Sequence, residues 1–180
     1  GLLEIKAYDD AKKYILKRQE LHEEVISKFV SIEDKCVRGL LISRESVAKE
    51  RKIEFLLTEE SFLEEEHGII DSNDIVTILG NLIENAFEAC ALCGDIKKKV
   101  EVSLYEDDLV IEMQVRDNGK SIDNKIRDIM FTEGISSKGE DRGTGLYLVK
   151  NRVEIYNGSI DIEEFDDEKI FVVTILKGGI

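Results

Sequence analysis

The stretch "DRGTGLYLVKN", residues 141–151, places Gly143 and Gly145 directly before an apolar pattern. Its apolar residues recur at steps of three and four, which predicts an amphipathic helix beginning near Thr144. Glycine at a helix start lowers stability unless the backbone needs a positive φ or a close approach. Because a helix N-terminus offers free N–H groups, phosphate is a natural ligand there. The glycine pair alone does not distinguish a phosphate site from an ordinary loop-to-helix junction.

The composition limits the partners of the chain. Its 180 residues include 39 acidic and 25 basic side chains, for a net charge of −14. Nucleic acid and anionic membranes are therefore disfavoured as main partners. The sequence has no apolar run long enough to span a membrane, no signal peptide and no initiator Met, which predicts a fragment of a cytoplasmic region. Cys90 and Cys93 form a CxxC motif without a second pair, so we interpret them as helix residues rather than zinc ligands.

Helical periodicity predicts three main helices. Residues 9–37 read as one long helix with a coiled-coil-like seam, and the segment after Gly39 continues helically. Asp71 is positioned to cap a helix over residues 72–91, and the third helix is the one beginning near Thr144. The apolar face predicted for the helix over residues 72–91 consists of Ile75, Ile78, Leu79, Leu82, Ile83 and Ala86.

Alternating apolar and polar residues predict a sheet built from hairpins. A short helix is expected near residues 125–130. Strands in hairpins, with three longer helices around them, predict an α+β fold of two layers. The strand candidates are residues 52–59, 98–107, 109–117, 159–165 and 169–176.

Two further stretches carry candidate chemistry, "GNLIENAFEA" (80–89) and "VRDNGKSID" (115–123). Asn81 and Asn85 share one helix face, where asparagine is unfavourable by propensity. Their amides form either helix-capping or core hydrogen bonds, or a site in which an amide oxygen ligates Mg²⁺. Asp117 is either an ordinary turn residue or an acceptor for the exocyclic amine of adenine, a choice that would reject guanine.

In this order, the three stretches resemble the N, G1 and G2 boxes of the sensor histidine kinase ATP-binding domain. That domain belongs to a superfamily with gyrase-type and mismatch-repair ATPases. The resemblance covers about residues 67–180 and implies a Bergerat-type fold, a two-layer α/β sandwich with a mixed sheet. Residues 1–66 resemble dimerisation helices of the citrate- and dicarboxylate-sensing branch. We therefore predict a helical dimerisation region over residues 1–51 and an ATP-binding catalytic domain over residues 52–180.

The resemblance implies ATP and Mg²⁺ as ligands and gives the motifs their roles. Asn85 would ligate Mg²⁺, Asn81 would lie beside the phosphates, and Asp117 would accept from adenine. Residues 132–143 would form a mobile lid, with Lys138, Arg142 and Lys150 as candidates for phosphate charge or as solvated side chains. The other implied nucleotide contacts are Gly119, which would let the backbone close over the base, and Phe131, Gly143, Thr144, Gly145 and Leu146.

Two features depart from the family pattern. Ser121 stands where the G1 box has its second glycine, and it fits only if its φ is negative. The family phosphorylates a histidine on its first dimerisation helix, which we expect to precede residue 1. Neither histidine of the chain is the expected acceptor, because His22 falls on the helical seam and His67 in a loop.

The implied reaction moves the γ-phosphoryl group of Mg-ATP to a histidine and then to an aspartate of a response regulator. The full-length protein is expected to be a membrane-anchored homodimer, with no direct membrane or nucleic-acid contact by this part. One alternative is an ATP-hydrolysing switch of the same fold, disfavoured because Asn81 cannot act as a general base. Another is a degenerate interaction module, favoured only by Ser121. A Rossmann site does not fit, since the GTG follows a polar loop instead of a strand.

Overall fold

The computed structural model divides the chain into two compact units, residues 1–30 and 31–180. In the part of the chain that it describes, no helix is both long and apolar enough to cross a bilayer. The structure describes residues 2–94, 96–127, 129–132 and 145–178. Within these ranges, side chains are described for all residues except 2–11, 14, 21 and 22.

The helical first third of the chain contains a break that the sequence did not predict. Helix α1, Leu2–Lys28, makes up most of the first unit, and helix α2, Lys35–Glu50, begins in the second. The prediction of a single helix over residues 9–37 is therefore wrong. The physical reason is Asp34, whose side chain accepts hydrogen bonds from two amides of the first turn of α2, at 2.7 and 3.0 Å.

The division after Val30 also differs from the predicted domain boundary after residue 51. The difference is α2, which contacts helix α3 (Ser72–Ala91) and strand β1 (Glu54–Leu57) within the second unit. A boundary between dimerisation and catalysis is a functional one, and it stays a prediction.

The second unit is built on a mixed five-stranded sheet with the order β1-β2-β3-β5-β4. Strand β1 pairs parallel to β2, and the other neighbouring strands pair antiparallel, which confirms both predicted hairpins. Besides β1, the strands are β2 (Lys99–Glu106), β3 (Val110–Asp117), β4 (Ser159–Phe165) and β5 (Glu168–Leu176).

Helices α3 and α5 (Gly145–Ile155) pack on one face of this sheet, and α4 (Asn124–Arg127) is a single turn. Every second residue of β2 and β3 is buried, as expected for strands with one face in the core. All six predicted apolar residues of α3 are buried. Its predicted cap is confirmed, since Asp71 accepts from the amide of Asn73 at 2.7 Å. The predicted α+β fold of two layers is thus confirmed.

Of the two edge strands, β1 is short and β4 is rich in acidic side chains. Strand β1 has four residues. Strand β4 carries three acidic side chains, of which Asp161 and Glu163 are exposed. The third, Glu164, accepts from the amide of Ile122 at 3.0 Å and from Arg127 at 2.8 Å. It thereby holds the segment that follows β3 against the edge of the sheet.

Candidate nucleotide-binding site

One face of helix α3 carries the candidate site. Asn81, Asn85 and Ala89 follow at four-residue steps, so they lie on the same side of the helix over about 12 Å. Gly145, the first residue of α5, packs at Asn81, and the turn after β3 packs at Ala89. The structure therefore brings the three motif stretches together along a single helix.

The first end of the site is the N-terminus of α5. A Cβ atom at Gly145 would lie 3.0 Å from Oδ1 of Asn81, so the glycine permits the close approach of the two helices. The Nδ2 atom of Asn81 donates to the carbonyl of Thr77 at 2.7 Å, which fixes the orientation of the amide. An amide cannot take up a proton at neutral pH, so Asn81 is not a general base.

Asn85 lies between the two ends and is half-buried. Its Nδ2 atom is buried and has no hydrogen-bond partner among the described residues. The neighbouring Glu84, by contrast, is held by Arg44 and Arg51 at 3.0 and 2.8 Å. A buried polar atom without a partner costs about 1–3 kcal/mol. The amide of Asn85 is therefore suited to a ligand that the chain does not itself supply.

The second end of the site is Asp117, whose residue is 1% exposed at the end of β3. Its Oδ1 atom accepts from the amide of Gly119 at 2.9 Å and from the ammonium group of Lys169. Its Oδ2 atom is buried and has no partner in the described residues. Burial raises the pKa of Asp117 above its ordinary value, and Lys169 opposes that rise.

The turn after Asp117 is pressed against the C-terminal end of α3. A Cβ atom at Gly119 would lie 2.5 Å from the carbonyl carbon of Ala89, so packing requires glycine here. The amide of Lys120 also donates to the carbonyl of Ala89, at 3.1 Å. Ser121 does not have a positive φ, so serine fits this backbone without strain. Closure of Gly119 over a base stays a prediction.

The remaining predicted contacts are only partly described. Phe131, in the turn after α4, and Leu146, in the first turn of α5, are half-buried. Lys150 is exposed and lies 3.7 Å from Glu154, which favours a solvated side chain. The predicted lid from residue 133 onward lies outside the described residues, as do Lys138, Arg142, Gly143 and Thr144. All of these nucleotide contacts stay predictions.

Sequence reasoning missed Lys169, which is 5% exposed beside Asp117. A signal was present in β5, whose buried residues Phe171, Val173 and Ile175 alternate along the strand. Lys169 has the same parity as these residues, so the strand pattern directs it inward.

Sequence reasoning also missed a buried cluster, here called the His67 cluster, formed by Asp34, His67, Glu106 and Lys177. Nε2 of His67 lies 2.8 Å from Oδ2 of Asp34, and Nδ1 lies 2.8 Å from Oε2 of Glu106. Lys177 approaches Oε1 of Glu106 at 2.6 Å. His67 does lie in a loop, as predicted, but no local pattern indicates that it is buried.

Comparison with known proteins identifies the family. Residues 70–178 match the family of histidine kinase-, DNA gyrase B-, and HSP90-like ATPases. The chain belongs to this family. The match includes α3, the turn after β3 and α5, which are the elements that form the candidate site. The chain thus carries an ATP-binding catalytic domain of the type found in sensor histidine kinases of two-component signalling.

Relatives of this histidine kinase-like domain agree with that assignment. The sensor histidine kinase CitA of Klebsiella pneumoniae is 33% identical over 91% of this chain and 30% of its own length. DcuS of Escherichia coli K12 is 35% identical, over 91% of this chain and 30% of its own. CitS of Halalkalibacterium halodurans is 35% identical, over 98% and 34%. The chain therefore spans about a third of the length of these relatives.

A solved structure shows the same fold. The catalytic domain of histidine kinase ThkA superposes with a TM-score of 0.66, over 79% of this chain and 92% of that domain. The two sequences are 22% identical, so this likeness concerns the fold alone.

Proposed function

We propose that this chain is the cytoplasmic catalytic part of a sensor histidine kinase, which transfers the γ-phosphoryl group of Mg-ATP to a histidine. The phosphoryl group then passes to an aspartate of a response regulator. The observation that supports this most directly is a pair of buried, unpartnered atoms, Nδ2 of Asn85 and Oδ2 of Asp117. Within the described residues, one other buried side-chain nitrogen or oxygen, Nε of Arg44, lacks a partner.

Asp117 would bind the adenine base. Its Oδ2 atom would accept a hydrogen bond from the exocyclic amine, which satisfies the one carboxylate oxygen that the protein leaves open. A base with a carbonyl at that position would instead face a carboxylate, and the repulsion would reject it. The ATP preference of the site would therefore come from a single carboxylate oxygen.

Asn85 would hold Mg²⁺ through its amide oxygen, and its buried Nδ2 atom, a donor, would bind a phosphate oxygen. An amide oxygen is a hard, neutral ligand, and it would leave the remaining positions to water and phosphate oxygens. Bound there, Mg²⁺ would neutralise charge on the phosphates. Asn81 and the free amides at the start of α5 would orient the phosphates. The contribution of the protein is then positioning and electrostatics rather than covalent chemistry.

The alternatives from the sequence are less well supported. An ATP-hydrolysing switch needs a general base, and the amide of Asn81 already donates to Thr77 and cannot accept a proton. The degenerate interaction module rested on Ser121, whose backbone carries no positive φ and no strain. Phosphoryl transfer with an intact nucleotide site is therefore the better proposal.

We also propose that the acceptor histidine is outside this chain and that residues 1–51 contribute to a membrane-anchored homodimer. His67 is 2% exposed, and both of its ring nitrogens face carboxylates. A nucleophile must be reachable by the γ-phosphate, so His67 does not qualify. The receiver domain of a response regulator would be the second protein partner.

The test of this proposal is calorimetric titration with a non-hydrolysable ATP analogue, with and without Mg²⁺. Asn85→Ala is expected to lose the Mg²⁺ dependence and at least about tenfold in affinity. Asn73→Ala, an exposed asparagine three turns earlier on α3, is the matched control and should bind like wild type. A folded wild-type chain that binds no nucleotide would overturn the proposal and favour the interaction module.

A further inference from the structure

Lys169 occupies an unusual place for a lysine. It is 5% exposed on strand β5, directly opposite Asp117 in the register of β3 and β5. Lysine is rarely buried unless it is paired. Its ammonium group binds Oδ1 of Asp117 and donates to the backbone carbonyl of Lys120 at 2.9 Å. A positive charge therefore lies beside Asp117, at the second end of the candidate site.

This arrangement determines which oxygen of Asp117 stays available. Two donors, the amide of Gly119 and the ammonium of Lys169, engage Oδ1, while Oδ2 has no partner among the described residues. The bond from Lys169 to the carbonyl of Lys120 also ties the turn to β5. The same turn is tied to α3 by the amide of Lys120, which donates to Ala89. Both the carboxylate and its turn are therefore held in place.

We propose that Lys169 is a positioning residue that keeps Asp117 an acceptor for the nucleobase and so sets a preference for 6-aminopurines over 6-oxopurines. This inference rests on the proposed function, because it takes Asp117 as the contact to the base. An ionised carboxylate only accepts hydrogen bonds, whereas a neutral carboxylic acid can donate one to a 6-oxo group. The charge of Asp117 therefore decides which base it fits.

Lys169, on the neighbouring strand β5, is the cation that lowers the pKa of Asp117. Burial is the main cause that raises the pKa of Asp117, and Glu164 on β4 adds to the rise, while Lys169 on β5 lowers it. Cys90 on α3 also faces this site, but burial raises the pKa of its thiol to about 11, so it stays neutral near pH 7. Removing the charge of Lys169 would therefore favour the neutral form of Asp117.

The experiment compares ADP with inosine diphosphate, whose bases differ at position 6, by calorimetry in Mg²⁺ buffer across pH 6 to 9. Wild type is expected to prefer ADP by at least about tenfold. Lys169→Met should bind ADP about tenfold more weakly and discriminate little at neutral pH. Its preference should return as the pH rises, because Asp117 then ionises. A merely structural role for Lys169 would not produce this pH dependence.

Three controls make the result decisive. Lys169→Arg keeps the charge and should restore the preference for ADP. Lys97→Met removes an exposed lysine that pairs with Glu54 at 2.9 Å, and it should behave like wild type. Circular dichroism checks folding, and Lys169→Gln, which keeps a donor without the charge, replaces Lys169→Met if that variant does not fold.

The outcomes separate this inference from the proposed function. If wild type binds neither diphosphate, the proposed function fails, and this inference fails with it. If wild type binds ADP but the uncharged variant keeps the same preference at every pH, only the role of Lys169 is overturned.

Discussion

Two buried ionic clusters of the second unit are similar in composition but differ in how completely they are hydrogen-bonded. In the His67 cluster, both ring nitrogens and all four oxygens of Asp34 and Glu106 have partners at 2.6–3.0 Å. In the pair of Asp117 and Lys169, one carboxylate oxygen has no partner among the described residues. Asp34, His67, Glu106, Asp117 and Lys169 are each at most 5% exposed, and the side chain of Lys177 is 13% exposed, so burial does not separate the two clusters.

The difference indicates what each cluster is for. A buried polar atom without a partner costs about 1–3 kcal/mol, so a cluster that serves only the fold is expected to satisfy all of its atoms. The His67 cluster meets that expectation. At Asp117, by contrast, the Oδ2 acceptor has no partner among the described residues, as expected where a ligand completes the hydrogen bonds.

The largest expected effect is that of His67→Leu on stability. The change removes the ring whose two nitrogens each lie 2.8 Å from a buried carboxylate, those of Asp34 and Glu106. We expect the free energy of unfolding, measured with urea, to fall by about 3–5 kcal/mol. ADP affinity of the folded variant should not change, because the His67 cluster is not part of the candidate site.

The matched control is Glu65→Gln, which removes an exposed ion pair with Lys35. We expect no measurable change in the free energy of unfolding of this variant. If His67→Leu cost less than about 1 kcal/mol, the His67 cluster would not be a structural unit and the contrast between the clusters would disappear.

The second prediction concerns the double variant Asp117→Asn/Lys169→Met. Replacing both charges of a buried pair costs little, so the free energy of unfolding should stay within about 1 kcal/mol of wild type. ADP affinity should fall about 100-fold, because the charged acceptor is lost. Asp117→Asn alone leaves Lys169 unpaired and should be less stable than the double variant. A double variant that loses several kcal/mol would mean that this pair serves the fold as the His67 cluster does.

How much of this could be predicted depends on how local the signals are. Helix α3 and its cap Asp71 were predicted to within a residue, because the cap, the period and the apolar face all lie within twenty residues. The shared helix face of Asn81 and Asn85 was predictable for the same reason, whereas their role in a nucleotide site stays a prediction. The break before α2 was missed because the heptad-like pattern continues across it, and a single Asp34 cap overrode that pattern.

Long-range pairs were not predictable in the same way. Lys169 and Asp117 are 52 residues apart, and His67 lies 33 and 39 residues from its two carboxylates. Only the register of the strands brings the first pair together. Parity along β5 could have indicated an inward lysine, but nothing in the sequence names its partner.

The third prediction concerns acid stability. Burial alone would raise the pKa of Asp34, but hydrogen bonds from His67, Ser72 and two amides of α2 hold it below its ordinary value. Asp34 therefore stabilises the fold above its ordinary pKa, and this stability is lost as the pH falls through its lower pKa in the folded state. The raised pKa of Asp117 has the opposite effect on stability: it favours the folded state at low pH, and this contribution is lost as the pH rises through the pKa of the folded state.

Urea unfolding at a series of pH values tests this contrast. Below about pH 4, wild type should lose stability more steeply than Asp34→Asn, by about 1 kcal/mol. Asparagine still caps a helix, so the variant should fold at neutral pH. Equal slopes for the two proteins would mean that the hydrogen bonds of Asp34 do not lower its pKa in the folded state.

The smallest expected effect is an absence of labelling. Incubation of the chain with Mg-ATP labelled at the γ-phosphate should leave no acid-labile, base-stable label, because His67 is enclosed by carboxylates. A label that persists and is lost in His22→Gln would identify His22 as the acceptor. It would contradict the proposal that the acceptor lies outside the chain.

The edges of the sheet have a consequence for behaviour at high concentration. An exposed edge strand can pair with the same edge of another molecule and start aggregation. Strand β1 offers only four residues for such pairing, and β4 would bring Asp161, Glu163 and Glu164 of one molecule against the same carboxylates of the next. Like charges on neighbouring strands repel, so the acidic edge opposes pairing between molecules and protects the protein from aggregation. Neutralising β4 should therefore lower the concentration at which the protein begins to precipitate.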